Sequence, residues 1–174
     1  MNNLELILPE IFLSLSIMFL LILGVFKKDS SKLIQNLSLI VLLITAVITF
    51  NETLGIEEIL LFNDSIIIDY LSSFMKIVTL LAAFLVLVIS SNYLRTYKIF
   101  KIEYPILILS SVLGMLVMIS SNDLIVFYMG LELQSLALYV LATFNRDQLK
   151  SSEAGLKYFV LSALSSGYYF MAVH

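Results

Sequence analysis

The sequence predicts an all-α fold, a polytopic transmembrane helix bundle. Three observations carry this prediction. Hydrophobic residues make up 60% of the 174 residues, and the mean hydropathy is +1.02. The apolar residues form six long runs, and most charged residues cluster in the connections between them. Helices of about 20 apolar residues, at a rise of about 1.5 Å per residue, match the roughly 30 Å hydrocarbon layer of a bilayer.

The six predicted spans follow one another along the whole chain. They lie near residues 4–26, 33–50, 70–93, 105–120, 124–144 and 152–173. No Lys or Arg precedes the first run, and its apolar stretch is longer than the core of a typical signal peptide, so we expect it to stay in the membrane. Residues 1–174 are therefore predicted to form a single membrane domain.

The basic residues predict how this bundle is oriented. Eight of the ten Lys and Arg residues lie in alternate connections, which follow the first, third and fifth spans. The other connections carry acidic residues and no basic ones, so the positive-inside rule places the N-terminus outside. The eight residues are Lys27, Lys28, Lys32, Arg95, Lys98, Lys101, Arg146 and Lys150.

An ionisable side chain lies in the middle of the fifth predicted span. Glu132 is nine residues beyond Asp123, a suitable N-cap, or about 13 Å from the outer end of the helix. A charge near the bilayer midplane costs roughly 2.5–3.5 kcal/mol on insertion scales, so Glu132 indicates ion or proton handling. The alternative is a structural carboxylate bonded to a neighbouring helix, a role that a neutral glutamine would fill without the ionisation penalty.

Polar residues accompany Glu132 along one face of the same helix. Tyr128, Glu132, Ser135 and Tyr139 recur at helical spacing, with leucines on the rest of the helix. We expect this polar stripe to face the interior of the protein and to be part of the site.

Two lysines lie inside predicted helices. Lys157 is about five residues, or roughly 8 Å, into the sixth span, and Lys76 is about 10 Å from the outer end of the third. Both are candidate site residues, and snorkelling to the interface is the structural alternative for each. An axial gap of about 10 Å separates Lys157 from Glu132, so we expect a relay through water or another residue in place of direct pairing.

Glu10 receives a structural interpretation. It follows Pro9 near the outer end of the first span, where a carboxylate in the first turn of a helix suits the helix dipole. We therefore expect Glu10 to be an interfacial residue.

The remaining composition excludes several functional classes. The chain has no cysteine and one histidine, His174, so disulfides, iron–sulfur ligation and metal binding by this chain are not expected. It also lacks a glycine-rich phosphate loop, a nucleophile motif and a flavin or nicotinamide fingerprint. We expect no cofactor on this chain, no redox chemistry of its own and no nucleic-acid partner.

Two long motifs carry a family resemblance. The run GLELQSLALYVL at residues 130–141, followed by FNR at 144–146, and the run SSEAGLKYFVLSALSSG at 151–167 closely resemble the subunit N family of proton-pumping NADH:quinone oxidoreductase, called subunit 2 in mitochondria. The LPEI at 8–11 and the segment 69–76 are similar to the same antiporter-like family.

The resemblance implies a fold and a site. Family members are bundles of about fourteen helices that contain inverted repeats, of which this chain would hold about six, the N-terminal third. Glu132 matches the essential glutamate of the fifth helix, and Lys157 matches the lysine of the sixth, which are the expected proton-relay residues. In the family that glutamate interacts chiefly with a lysine on the seventh helix, beyond this chain.

The resemblance also implies a function. Such a subunit translocates protons across the bacterial plasma (inner) membrane, driven by electron transfer from NADH to quinone in other subunits. NADH, FMN, iron–sulfur clusters and quinone are implied in the complex, with other membrane and peripheral subunits, the lipid bilayer and protons as partners. Two alternatives remain: a subunit of a cation/proton antiporter, or a structural membrane subunit without transport.

The last residues depart from the family pattern. The family implies a leucine-rich continuation after residue 167, whereas residues 168–174 read YYFMAVH. We expect a truncated or frame-shifted gene, or an incomplete contig, behind this ending, and we expect His174 to be an accident of it.

Overall fold

The computed structural model describes residues 5–26, 31–53, 59–96, 101–145 and 148–173. These residues form six α-helices and one two-stranded hairpin, and a 3-10 turn over Glu5–Ile7 leads into the first helix. A helix lies at each predicted span, and the fold class, a helical membrane bundle, is confirmed. The helices are α1 Leu8–Phe26, α2 Ser31–Thr53, α3 Tyr70–Thr96, α4 Glu103–Ile119, α5 Leu124–Ala142 and α6 Leu149–Val173.

Not all of these helices are equally suited to crossing a bilayer. In the part of the chain that the structure describes, α1, α2, α3 and α5 are long and apolar enough to span. Helix α4 is apolar but has 17 residues, and α6 begins with the charged side chains of Lys150, Glu153 and Lys157. Spanning by α4 and α6 stays a prediction.

The predicted orientation also stays a prediction. Some of the residues named in the sequence analysis lie outside the described ranges: Lys27, Lys28, Lys98, Arg146 and His174. We keep the term outer end for the end of the bundle where α1 begins, which the basic residues place outside.

A β-hairpin at the outer end joins α2 to α3, and the sequence analysis did not predict it. Strand β1, Ile59–Leu61, pairs antiparallel with β2, Ile66–Ile68. Phe62, Asn63 and Asp64 in the turn all have positive φ, at 52°, 53° and 65°. Asn and Asp tolerate this conformation, but for Phe62 it is strained. Strands of three residues are too short to show an alternating pattern, so no periodicity indicated them.

The hairpin is tied to the connection between α4 and α5. The Ile67 N–H donates to the Ser120 carbonyl oxygen at 2.8 Å, and the Asn122 N–H donates to the Ser65 carbonyl oxygen at 2.9 Å. The Asn122 side-chain amide also donates to the Asp64 carbonyl oxygen at 2.7 Å. These bonds fix the start of α5 relative to the hairpin.

The main core lies among the first four helices. Helices α5 and α6 add no residue to this cluster of buried side chains in the described ranges, so α1–α4 form a packed unit, with α5 packed on α4 and α6 on α5. The cluster consists of Leu13, Ile17, Leu20, Ile34, Leu42, Leu80, Leu87, Ile106, Leu109, Val112 and Leu116.

Two glycines allow α4 and α5 to approach at backbone distance. A Cβ atom on Gly114 would lie 2.6 Å from the backbone nitrogen of Gln134, and one on Gly130 would lie 2.8 Å from that of Met118. Helix association in a bilayer depends on such close packing of small residues. The glycine pair therefore sets the distance between the four-helix unit and α5.

Candidate functional site

The candidate site is built on α5, whose start is defined by its cap. Asp123 has an extended backbone, and its Oδ1 accepts a hydrogen bond from the Ile125 N–H at 3.3 Å. The helix then continues for 19 residues to Ala142. Glu132 lies near the middle of this helix, nine residues beyond Asp123.

Glu132 has a buried carboxyl oxygen without a partner. Its Oε2 is inaccessible to solvent and accepts no hydrogen bond from any group that the structure describes. The nearby Ser135 hydroxyl donates to the backbone carbonyl of Glu132 at 3.1 Å, so it does not serve the carboxylate. A buried carboxyl oxygen without a donor is costly, because the water it loses is not replaced. The Glu132 side chain as a whole is half-buried, so this cost falls on one of its two oxygens.

The polar stripe of α5 faces α6. The Tyr139 hydroxyl donates to the Ser162 hydroxyl, and the Tyr139 ring makes an edge contact with Tyr158 at a centroid distance of 4.9 Å. One end of the stripe is thus anchored on α6, and Ser135 and Tyr139 are buried, as the pattern predicts.

The outer part of the stripe is anchored on α6 as well. The Tyr128 ring stacks on Tyr169 at 5.4 Å, and the Tyr169 hydroxyl donates to the Leu124 carbonyl oxygen at 3.1 Å. Because Glu132 lies between Tyr128 and Tyr139 on the same helical face, it lies along the seam between α5 and α6.

An open cavity of about 80 Å³ lies in this seam. Its volume is sufficient for water, and its lining, although mostly apolar, includes hydroxyl groups from both helices. The lining residues are Phe127, Tyr128, Leu131, Ser162, Ser165, Ser166 and Tyr169. Two of them, Tyr128 and Leu131, lie within one helical turn of Glu132.

Lys157 is not brought to Glu132. Its Nζ lies 2.6 Å from Glu153 Oε1 within α6, and the two side chains are 68% and 62% exposed. The structure gives no ion pair between Lys157 and Glu132, in keeping with the axial gap that the sequence predicts. An exposed pair at this spacing holds its lysine weakly, so Lys157 remains available to other groups.

Lys76 forms an ion pair that the sequence analysis missed. Its Nζ lies 2.5 Å from Glu10 Oε1, and the side chains are only 3% and 10% exposed. Lys76 therefore does not snorkel into solvent, and Glu10 is buried and paired with it, a contact that the helix-dipole interpretation of Glu10 did not include. The two residues lie about 3 Å and 9 Å inside the outer ends of their helices, a difference of about 6 Å that the long side chain of a lysine can bridge.

The described residues contain no group of three or more acidic, His or Cys side chains that could hold a metal ion. The chemistry of the site thus consists of one carboxyl group, hydroxyl groups and a lysine.

The region that contains the candidate site matches a known family model. A family model described as NADH:quinone oxidoreductase/Mrp antiporter, TM, matches residues 121–174. This match includes both Glu132 and Lys157, together with the seam between α5 and α6.

Curated relatives extend the match to the rest of the bundle. NADH-quinone oxidoreductase subunit N of Pelagibacter ubique (strain HTCC1062) is 70% identical over 167 residues, 96% of this chain and 35% of the relative. The proteins of the same name from Maricaulis maris and Paramagnetospirillum magneticum are 49% and 47% identical, over 95% and 92% of this chain. Over the length that it spans, the chain belongs to the subunit N family. It covers about a third of the length of these subunit N relatives.

Proposed function

We propose that this chain contributes to a proton pathway through the membrane part of an NADH:quinone oxidoreductase. One observation carries the proposal: Glu132 has a buried carboxyl oxygen with no partner, at the middle of an apolar helix and beside a hydroxyl-lined seam. An intramembrane carboxyl group in such a place is suited to taking up and releasing a proton.

The seam suggests how the proton would move. Protonation of Glu132 removes the cost of its buried charge, and deprotonation requires a nearby acceptor such as water. Tyr128, Ser135 and Tyr139, with the serines of α6, would order water along the seam. Lys157 would be the second relay group, reached through water because it lies away from Glu132.

The driving force would come from outside this chain. Electron transfer from NADH to quinone in other subunits, through their FMN and iron–sulfur clusters, would change the relative stability of the protonated states along the pathway. The partners would be the other membrane and peripheral subunits, and the location would be a bacterial plasma membrane, since the named relatives are bacterial.

The test is Glu132→Gln in the intact complex, measured in membrane vesicles from the host. Glutamine preserves the shape and hydrogen bonding but cannot release a proton, so we expect NADH-driven proton translocation to fall severalfold at unchanged subunit abundance. Glu103→Gln, on the exposed start of α4, is the matched control and should pump normally. Wild-type translocation and quinone reduction by Glu132→Gln would overturn the proposal.

A cation/proton antiporter subunit is the second candidate, because the description of the matching family model also includes the Mrp antiporter. The relatives named subunit N favour the oxidoreductase. Sodium-dependent proton movement in vesicles without NADH would favour the antiporter. A structural subunit would tolerate Glu132→Gln and Lys157→Gln together.

A further inference from the structure

The Glu10–Lys76 ion pair joins α1 to α3 near the outer end of the bundle. Both side chains are at least nine-tenths buried, and their charged atoms are 2.5 Å apart. Burying such a pair costs desolvation free energy. Removing one partner destabilises the protein further, because the remaining charge is left buried without compensation. The pair must therefore be considered as one unit.

The hairpin packs against the segment just before α1. Leu6, just before α1, packs with Leu61 and Ile68 in a small buried cluster at the outer end. Strand β2 then continues directly into α3, whose start is held by reciprocal bonds: Asp69 Oδ1 accepts from the Ser72 N–H at 2.7 Å, and the Ser72 hydroxyl accepts from the Asp69 N–H at 3.0 Å. The hairpin is thus rigidly connected to the helix that carries Lys76.

The same hairpin holds the start of α5. Its bonds to Ser120 and Asn122 fix the connection between α4 and α5, and Asp123 caps α5 directly afterwards. A continuous set of backbone contacts therefore leads from the Glu10–Lys76 pair to the helix of Glu132.

The pair makes no direct polar contact with the seam. In the described residues, neither Glu10 nor Lys76 forms a hydrogen bond or ion pair with α5 or α6. The cluster of buried apolar side chains among α1–α4 consists chiefly of leucines. Buried hydroxyl groups, among them those of Ser73, Ser111 and Ser120, also lie in this unit, and the variants below test whether protons pass between the pair and the seam.

We propose that the Glu10–Lys76 pair is a positioning latch. It locks α1 against α3, and through the hairpin it sets the outer end of α5, while carrying no transported proton itself. The proposal rests on the proposed function only where pumping is used as a readout.

The test uses four variants in the intact complex: Glu10→Gln, Lys76→Gln, the double neutral variant, and the swap Glu10→Lys with Lys76→Glu. Each single variant leaves a buried unpaired charge, so we expect the amount of subunit in the membrane to fall severalfold. The double neutral variant and the swap remove that charge imbalance. We expect at least one of them to recover more than half of the wild-type abundance and of the pumping per assembled complex.

A second readout, independent of activity, follows how accessible the small buried cluster of Leu6, Leu61 and Ile68 is to water. The chain has no cysteine, and Ile68 in this cluster is 2% exposed. The rate at which Ile68→Cys reacts with a thiol reagent therefore reports whether the cluster has opened to water. We expect a water-soluble maleimide to label this cysteine at least about fivefold faster in the single variants, with recovery in the double variant. Asn63→Cys, on the exposed turn, is the control and should label equally in all backgrounds.

The outcomes separate this proposal from the proposed function. A double neutral variant that is abundant and slowly labelled but does not pump would show that the pair carries protons, and would overturn the latch. Single variants with wild-type abundance and labelling would also overturn it, as would failure of both double variants to recover. Normal pumping by Glu132→Gln would instead overturn the proposed function and leave the abundance and labelling tests intact.

Discussion

The four-helix unit α1–α4 and the seam of α5 with α6 use the same two residue types in opposite ways. In the first, Glu10 Oε1 and Lys76 Nζ lie 2.5 Å apart and are buried together, although Glu10 Oε2, like Glu132 Oε2, accepts no hydrogen bond from the described residues. In the second, Glu132 keeps an unpartnered buried oxygen, and Lys157 pairs with Glu153 on an exposed surface.

This difference separates two uses of charge in an apolar environment. In a buried ion pair, the charge of the partner offsets part of the cost of burying each group. A buried carboxyl oxygen without a hydrogen-bond donor has no such offset. The residue types are the same in the two regions, but the regions differ both in pairing and in depth, since Glu10 lies about 3 Å and Glu132 about 13 Å from the outer end of its helix.

The largest expected effect on stability comes from opening the core of the four-helix unit. Leu109 is fully buried, and Leu109→Ala should lower the free energy of unfolding by about 2–5 kcal/mol, because the cavity cannot close completely. Ile89→Ala, at a position that is 72% exposed, should cost much less. Denaturant titration in detergent measures both. Equal losses would mean that the four-helix unit is not packed as described.

The next largest effect on stability should come from a change at the contact between α4 and α5. Gly130→Ala places a Cβ atom 2.8 Å from a backbone nitrogen of α4, so the helices must separate, at a cost of about 1–3 kcal/mol. Gly167→Ala has no atom within 4 Å of the added Cβ and serves as the control. The same unfolding assay compares them. An unchanged Gly130→Ala protein would show that α4 and α5 are not in backbone contact.

Removing one hydroxyl should have a smaller effect. Tyr139→Phe deletes the hydrogen bond to Ser162 and should destabilise the protein by about 1 kcal/mol. Tyr168→Phe, on an exposed ring of α6, should change little. If Tyr139 also orders water, NADH-driven pumping will fall in the first variant and not in the second. Identical behaviour of the two variants would remove Tyr139 from the site.

The smallest effect on stability is expected at Lys157. Lys157→Met breaks an exposed pair that contributes at most about 0.5 kcal/mol. Glu153→Gln breaks the same pair and is the matched control. A loss of proton translocation in Lys157→Met alone would assign the lysine a role beyond the pair. Equal pumping by both variants would show that Lys157 has no relay function.

The sequence was a good guide to local features. Apolar runs predict a helix at each of six positions, Asp123 predicts the start of α5, and helical spacing predicts the polar stripe that faces α6. These features depend on neighbours within a few residues, which a single sequence displays directly.

Features that depend on tertiary neighbours were not predicted. The partners Glu10 and Lys76 are 66 residues apart, and their contact requires knowing that α1 and α3 meet at the outer end. The hairpin depends on bonds to Ser120 and Asn122, which belong to a distant connection. Propensity in three-residue strands is too weak to indicate such pairing.

The sequence separation of the ion pair has a consequence for biosynthesis. Glu10 leaves the ribosome 66 residues before the lysine that neutralises it, which corresponds to roughly 3–13 s at ordinary rates of translation. During that interval the carboxylate has no partner, and its position near the end of α1 allows it to remain in the lipid headgroup region. Glu10 can therefore gain its charged partner only after the part of α3 that carries Lys76 has been synthesised.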